Sequence, residues 1–227
     1  VAFADKCWPA FPSQFGFEPC YVNSRLASRG IPVSCEVDIY GALSEYIGIC
    51  ASGDTVTLLD INNSVPKYIY DEDISGKFDY KLTDTFMGFH CGNTPACKMC
   101  GDRAVKYQLI QHRLLEPVGS DPDFTRGTLE GDIAPSDITF YRLQCDSEGQ
   151  LRAYIAEGEI LPVATRSFGG IAIFAIPEMG RFYRHVLIQK RYPHHGAVAF
   201  GHYGKTLFEV LKFFGIADIA YNQPKSL

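Results

Sequence analysis

The alternation of apolar and polar positions predicts a strand, a helix and a second strand near the start of the chain. Residues 31–35 and 56–59 are short apolar runs next to turn residues, and between them apolar side chains recur at helical spacing from about residue 38 to residue 50. Strands joined through a helix in this way lie parallel, and their carboxyl ends open on one edge of the sheet. Because Glu36 and Asp60 stand where these two strands end, we expect both acids to face a single site.

Each of the two acids also has a purely structural interpretation. Glu36 precedes a helix, where a carboxylate suits the helix dipole, and Asp60 precedes a predicted turn over residues 62–64. We favour the functional interpretation because two acids with apolar neighbours need a metal ion or a proton partner.

After Asp60 the hydrophobic pattern changes and predicts a mostly antiparallel β region that ends in an amphipathic helix. The predicted strands cover residues 106–115, 138–143, 151–155, 171–176 and 185–190, and the helix covers residues 205–214. We therefore predict an α/β plus β fold. Residues 1–52 would be the last part of a parallel, Rossmann-like α/β domain, and residues 53–227 a mostly antiparallel, barrel-like C-terminal domain with a closing helix.

Composition and charge narrow the class of partner. The chain has 227 residues, 46% of them hydrophobic, which is enough to bury a sizeable core. A formal net charge of −5, with Lys and Arg evenly scattered, indicates neither nucleic acid nor an anionic membrane surface as a partner and favours a small neutral substrate. No apolar run approaches the roughly 18 to 20 residues that cross a bilayer, and no secretory signal opens the sequence. We expect a cytoplasmic protein.

Eight cysteines raise the question of disulfides or of a thiol-bound metal. Reduced thiols are the expectation for a chain of this size without a secretory signal. Cys91, Cys97 and Cys100, in CGNTPACKMC, have a spacing that can hold zinc or an iron–sulfur cluster, but a second C-x-x-C pair is missing. A thiol-ligated metal or redox module stays open as an alternative.

A pair of histidines, His194 and His195, offers a nitrogen ligand for the two acids. Neighbouring residues in extended backbone point to opposite sides, so at most one of the two faces a given site. One imidazole and two carboxylates make a mixed shell that Mn²⁺ and similar divalent ions accept.

Six stretches of the sequence together resemble the L-fucose isomerase family, whose relatives include the L-arabinose isomerases. They are CEVDIYGALSEYI, LLDINN, FHCGNTPACK, TLEGDI, SFGGIAIFAIPEMGRFYRHV and PHHGAVAFGH. The resemblance covers most of the chain from about Ser24 onward, and the 24 residues that separate Glu36 from Asp60 fit the acid pair of that family.

This resemblance implies a metal-dependent ketol-isomerase that acts on a deoxy sugar or a pentose of the L-fucose or arabinose type. It implies that Glu36 and Asp60 are catalytic residues and metal ligands, that His195 is the remaining ligand, and that the metal is Mn²⁺. His90 matches a further metal ligand of the arabinose branch only, so it binds either metal or substrate. The resemblance also implies α/β domains upstream and a homo-oligomer, either a trimer or a hexamer, so we expect the chain to be an inactive portion of a larger enzyme.

Two carboxylates and a divalent ion suit the reaction of such an isomerase. One carboxylate takes a proton from one carbon and the other protonates its neighbour, by way of a cis-enediol or enediolate. The alternative from another functional class is a non-catalytic metal- or sugar-binding fragment, in which the same residues hold an ion for structure alone. A turnover assay with added metal distinguishes the two.

Overall fold

The computed structural model describes residues 1–62 and 64–224, and its largest feature is a nine-stranded, mostly antiparallel sheet. The strands, labelled β1 to β11 in chain order, are Phe3–Ala4, Val33–Ser34, Val56–Asn62, Thr85–His90, Ala104–Tyr107, Arg126–Asp132, Ser136–Cys145, Leu151–Ile160, Gly170–Ala175, His195–Phe200 and Asp218–Tyr221. The α-helices, labelled α1 to α7, are Ala10–Phe15, Cys20–Ala27, Ile39–Ser52, Lys67–Ile69, Leu109–Leu115, Met179–Tyr183 and Gly204–Phe213. Short 3₁₀ segments cover Leu82–Asp84 and Ala96–Lys98, and π-helical segments cover Tyr70–Ile74 and Arg184–Gln189.

Six strands of the large sheet close into a ring. They follow one another in the order β8, β7, β10, β3, β4 and β9, and every pairing in the ring is antiparallel. The ring closes where β8 pairs with β9 through Glu159 opposite Ala175 and Ile160 opposite Phe174. Three strands lie outside the ring. β11 pairs in parallel with β8, β6 pairs in parallel with β9, and β5 pairs antiparallel with β6. The prediction of a mostly antiparallel, barrel-like region is confirmed.

Aromatic side chains fill the interior of the ring. The rings of Phe86 and Phe174 stack with their centroids 5.2 Å apart, and the centroid of Phe140 lies 5.8 Å from that of Phe86. Each of these fully buried side chains contributes about 1.5–3 kcal/mol to stability. Gly88 leaves room for this stack, because a Cβ atom there would lie 2.3 Å from the ring of Phe174.

The predicted parallel strand pair on either side of α3 is not formed. The short strand β2 pairs in parallel with β1, in a separate two-stranded sheet, whereas β3 lies in the ring with antiparallel neighbours on both sides. Residues 56–60 of β3 pair with β10 and residues 60–62 pair with β4, so β2 is not a neighbour of β3. The Rossmann-like parallel portion is thus not confirmed, and the domain boundary at residues 52 and 53 stays a prediction.

Two helices match their predicted positions closely. The side chain of Asp38 accepts a hydrogen bond of 2.8 Å from the amide of Gly41 and so caps the first turn of α3. Gly53 ends this helix in the left-handed conformation, with φ of 67°. The predicted closing helix is α7, and its buried Leu207 and Leu211 pack on the sheet.

Two predicted strands are wrong in whole or in part. Of residues 106–115, only the first two belong to a strand, because the Gln108 side chain accepts a hydrogen bond of 2.8 Å from the amide of Gln111 and starts helix α5. Residues 185–190 lie mostly in the π-helical segment Arg184–Gln189, which continues α6. The predicted turn over residues 62–64 includes Asn63, which lies outside the described residues. Over the described ranges, no helix has the length and apolar character needed to span a bilayer.

Candidate functional site

Strands β3 and β10 place Asp60 and His195 opposite each other. The two residues are partners in the antiparallel register, and Asp60 Oδ1 lies 3.1 Å from His195 Nε2. The His195 side chain is buried, and 23% of the Asp60 side chain is exposed. Because a slip of one residue would turn either side chain to the other face of the sheet, the register of β3 and β10 determines this contact.

Glu36 reaches the same histidine from a strained turn that follows β2. Glu36 and Val37 both adopt positive φ, of 62° and 57°, which is costly for residues other than glycine. Glu36 Oε2 lies 3.8 Å from His195 Nε2, and the Glu36 side chain is half exposed. The structure therefore brings Glu36, Asp60 and His195 together, although not through the parallel strands from which we predicted their proximity.

His195 is oriented by a third carboxylate, that of Asp38, which the sequence analysis did not assign to the site. Its Nδ1 lies 2.9 Å from Asp38 Oδ2, and both carboxylate oxygens of Asp38 accept 2.7 Å hydrogen bonds from the buried guanidinium of Arg142. Arg142 also donates to the backbone carbonyl of His195, at 3.2 Å. This arrangement directs a proton to Nδ1 and leaves Nε2 for a ligand, as a carboxylate that accepts the other ring N–H does for metal-bound histidines.

His90, at the end of β4, has the opposite tautomer. Its Nδ1 accepts a hydrogen bond of 2.9 Å from the backbone amide of Cys91, so the neutral ring carries its proton on Nε2. Burial lowers the pKa of His90, which keeps the ring neutral. An N–H group at Nε2 is a hydrogen-bond donor and not a metal ligand. Between the two roles left open for His90, this geometry favours contact with a substrate oxygen.

Three buried atoms at the centre of the site have no hydrogen-bond partner among the described residues. They are Asp60 Oδ1, His90 Nε2 and His195 Nε2, and the contact between Asp60 and His195 is an ion pair without hydrogen-bond alignment. Ligand atoms of the three residues lie within 4.8 Å of one another. Buried polar atoms rarely stay unpaired, so this convergence indicates an absent polar partner. The carboxylates and the free Nε2 of His195 fit a divalent cation, with His90 as a donor beside it.

The charges of the site are strongly coupled. Burial opposes ionisation of Asp38, but hydrogen bonds from His195 and Arg142 outweigh it and hold the pKa of the carboxyl well below its usual range. Burial also opposes ionisation of Asp60, yet the contact with His195 and the charge of that ring lower the pKa of the Asp60 carboxyl. For His195, contacts with Asp38 and Asp60 outweigh burial and raise the pKa to about 9. A cation that binds Nε2 must therefore displace a proton.

His194 lies at the rim of the site. Its side chain is 60% exposed, and its Nε2 lies 3.6 Å from Asp60 Oδ1. The buried, oriented ring of His195 is thus the better placed of the two imidazoles, although its role as a ligand stays a prediction.

The structure does not bring the three candidate zinc thiols together. Cys97 and Cys100 are exposed, whereas Cys91 is half buried and lines a cavity. Their sulfur atoms do not form a cluster within 4.8 Å of one another. The thiol-ligated metal alternative has no support from this geometry.

Asp38 and Arg142 are the site residues that the sequence analysis missed. A signal existed for each of them. Asp38 stands at the N-cap position of the predicted helix, two residues after Glu36, and Arg142 interrupts the apolar strand ITFYRLQC. A buried arginine in such a strand requires an acidic partner.

Comparison with known proteins agrees with the resemblance seen in the sequence. Residues 88–221 match the family described as L-fucose isomerase, C-terminal domain, a range that includes His90 and His195 but not Glu36 or Asp60. Similar proteins named sulfoquinovose isomerase include one from Clostridium sp. (strain MSTE9), 26% identical over 78% of this chain and 34% of its own length. Another, from Alkalicoccus urumqiensis, is 24% identical over 95% of this chain and 43% of its own length. A third, from Priestia aryabhattai, is 23% identical over 97% of this chain and 44% of its own length. The chain thus spans between a third and just under half of the length of these relatives.

Proposed function

Because this chain belongs to the L-fucose isomerase C-terminal domain family, we propose that it carries the metal and proton-transfer residues of a sugar isomerase that interconverts an aldose and a ketose. The substrate class we propose is a deoxy sugar or a pentose of the L-fucose or arabinose type. The relatives described above are named for sulfoquinovose, which makes a sulfonated sugar the competing substrate class.

One observation carries this proposal. Asp60 Oδ1, His90 Nε2 and His195 Nε2 are buried and have no hydrogen-bond partner in the part of the chain that the structure describes. Polar atoms of these three side chains lie within 4.8 Å of one another, and Glu36 Oε2 lies 3.8 Å from His195 Nε2. Such a site offers Asp60 and His195 as ligands for a cation, His90 as a hydrogen-bond donor, and Glu36 as a solvent-exposed carboxylate. The proposed reaction would use each of these groups.

The residues have distinct tasks in the proposed reaction. Mn²⁺ held by Glu36, Asp60 and His195 would act as a Lewis acid toward the two sugar oxygens. Glu36 and Asp60 are the proton-transfer groups at the two neighbouring carbons, and their acid and base roles exchange between the two directions of reaction. Asp38 holds His195 in the tautomer that frees Nε2, and His90 donates a hydrogen bond from its Nε2 to a sugar oxygen.

We propose that segments outside these 227 residues complete the enzyme, in a homo-oligomer such as a trimer or a hexamer. Two features support this proposal. The chain spans well under two thirds of its relatives, and helix α3 presents an exposed apolar stripe formed by Ile39, Leu43 and Tyr46. Large exposed apolar patches on soluble proteins usually mark an interface.

The test is an isomerase assay of the full-length protein with L-fucose, L-arabinose and sulfoquinovose. We expect turnover of at least one sugar in the presence of Mn²⁺, loss of turnover with a chelator, and recovery when Mn²⁺ is restored. A protein that binds Mn²⁺ stoichiometrically, yet converts none of these sugars, would be the non-catalytic binding module. Light scattering of the same sample tests the oligomer independently.

A further inference from the structure

A cavity of about 180 Å³ opens beside the candidate site, with Glu36 and His90 in its wall. Its volume equals that of about six water molecules in the liquid. Strand ends, the N-terminal segment and helix α5 contribute its other walls, which include Trp8, Glu18 and Gln111. The cavity is therefore continuous with the residues proposed to hold the reacting end of the sugar.

Three side chains in this wall have buried polar atoms with no partner among the described residues. They are Glu18 Oε1, His90 Nε2 and Gln111 Oε1. Glu18 is only 1% exposed, His90 2% and Gln111 5%. Since an unpaired buried polar atom is costly, three of them around one cavity indicate a polar occupant.

The pair of Glu18 and Gln111 has the chemistry of a hydroxyl-binding site. The two side chains lie close enough for the Gln111 amide to lower the pKa of the Glu18 carboxyl. Burial, reinforced by the nearby Cys7, raises the pKa of Glu18 to about 8, so the neutral acid can both donate and accept a hydrogen bond. Gln111 Oε1 supplies a further acceptor. A hydroxyl group, which donates one hydrogen bond and accepts others, matches this set.

The remaining wall excludes a strongly charged occupant. Among the described residues that line the cavity there is no Lys or Arg, while two are acids. Trp8 and Ile110 provide apolar surface of the kind that packs against the C–H face of a sugar. An anionic group such as a sulfonate would find no cation here.

We propose that this cavity binds the hydroxyl-bearing part of the sugar that lies away from the reacting carbons, with Glu18 and Gln111 as its specificity-determining contacts. This inference rests on the proposed function, because it takes the reacting carbons to lie at Glu36, Asp60 and His195. Neither contact residue takes part in proton transfer, so their loss should weaken binding of substrate and transition state equally.

The test uses Glu18→Leu and Gln111→Leu in the full-length protein with Mn²⁺. Each variant should raise KM for the preferred aldose about tenfold, as expected for a lost buried hydrogen bond, with kcat changed less than about threefold. Glu18→Gln retains a donor and an acceptor and should raise KM less than Glu18→Leu does. Glu209→Gln, at an exposed position of α7, is the control for replacing a glutamate outside the cavity. Circular dichroism of each variant checks that the fold is retained.

A second readout separates this inference from the proposed function. An alditol, which is an open-chain sugar alcohol and cannot isomerise, is titrated calorimetrically into the metal-free protein, and Glu18→Leu should weaken its binding about tenfold. Wild-type protein that binds the alditol through Glu18 but converts no aldose would overturn the proposed reaction and support the cavity. Active wild-type protein, with KM and alditol affinity unchanged in both leucine variants, would overturn the inference.

Discussion

At His195 a single imidazole contacts two carboxylates from distant parts of the chain. Asp38 lies 2.9 Å from Nδ1, and Asp60 lies 3.1 Å from Nε2. We expect Asp38→Asn to lower the affinity for Mn²⁺ about ten- to hundredfold, because the ring loses the carboxylate that fixes its tautomer. Asn still caps helix α3, and circular dichroism checks that the fold survives loss of the ion pair between Asp38 and Arg142. Titration calorimetry measures the affinity, and Asp79→Asn, at an exposed position, is the control. Equal affinities in wild type and Asp38→Asn would contradict the positioning role.

The two proposed proton-transfer residues make a second prediction at this scale. Glu36→Gln and Asp60→Asn should each lower kcat at least about a hundredfold, which is the usual scale for losing a general acid or base. Metal occupancy, measured by elemental analysis, should fall as well. A residue whose amide variant keeps a near-normal rate has no part in proton transfer.

Glu45 gives a prediction for the dependence of stability on pH. It is buried in α3, where Ser34 Oγ donates a hydrogen bond to it, and burial raises its pKa to about 8 from an ordinary value of 4.5. Between these two values the native state holds a proton that the unfolded state releases, so stability falls as pH rises, with a limiting slope of about 1.4 kcal/mol per pH unit. Glu45→Gln removes this loss.

Urea unfolding from pH 4 to pH 9 measures the effect. The difference in unfolding free energy between Glu45→Gln and wild type should increasingly favour the variant as pH rises from 4.5 to 8. A difference independent of pH would show that Glu45 titrates normally.

Glu36, Asp60 and the histidine pair could be predicted from sequence, because acids that follow apolar runs and a histidine pair are local features. The structure brings Glu36, Asp60 and His195 together, and their roles stay predictions. The side chains that contact these residues could not be predicted from the sequence in the same way. Arg142 meets Asp38 across about a hundred residues, and only the folded ring brings their side chains together. The tautomer of His90 depends on a backbone hydrogen bond that no sequence pattern reports.

At the scale of elements, helix α3 packs closely on β7 because Gly48 has no side chain. A Cβ atom on Gly48 would lie 1.7 Å from the phenol oxygen of Tyr141, which donates a hydrogen bond of 2.9 Å to Ser44 O. Gly48→Ala should therefore destabilise the protein by about 1–3 kcal/mol, although alanine is the better helix former. Denaturant unfolding measures the change. The double variant with Tyr141→Leu should lose less than the sum of the single losses, and strict additivity would exclude the contact.

The elements that could be predicted differ physically from those that could not. Helix α3 has a local N-cap and helix α7 has an amphipathic face, so both helices could be predicted from their own sequences. Residues 185–190 are rich in β-branched and other apolar side chains, which suit a strand, but they continue the turn of α6 as a π-helical segment. The pairing partner of β2 could not be predicted from the sequence either, since it is β1, at the start of the chain.

At the scale of the whole molecule, closure of the ring depends on Gly158. A Cβ atom there would lie 2.1 Å from the carbonyl oxygen of Ala175, at the position where β8 meets β9. We expect Gly158→Ala to cost at least about 2 kcal/mol and to reduce hydrogen-exchange protection along both strands. Leu151→Ala, at the exposed start of β8, should have a much smaller effect. Unchanged protection in Gly158→Ala would mean that this pairing does not hold the ring closed.

The place of β10 between β3 and β7 has a consequence for biosynthesis. About 135 residues separate Asp60 in β3 from His195 in β10, which at roughly 5 to 20 residues per second corresponds to about 7 to 27 s on the ribosome. During that interval β3 has left the ribosome without the strand that covers one of its edges. An uncovered apolar edge can pair with other chains. The nascent chain, rather than the finished molecule, is therefore where aggregation should begin, and capture of the metal must wait until synthesis has passed β10.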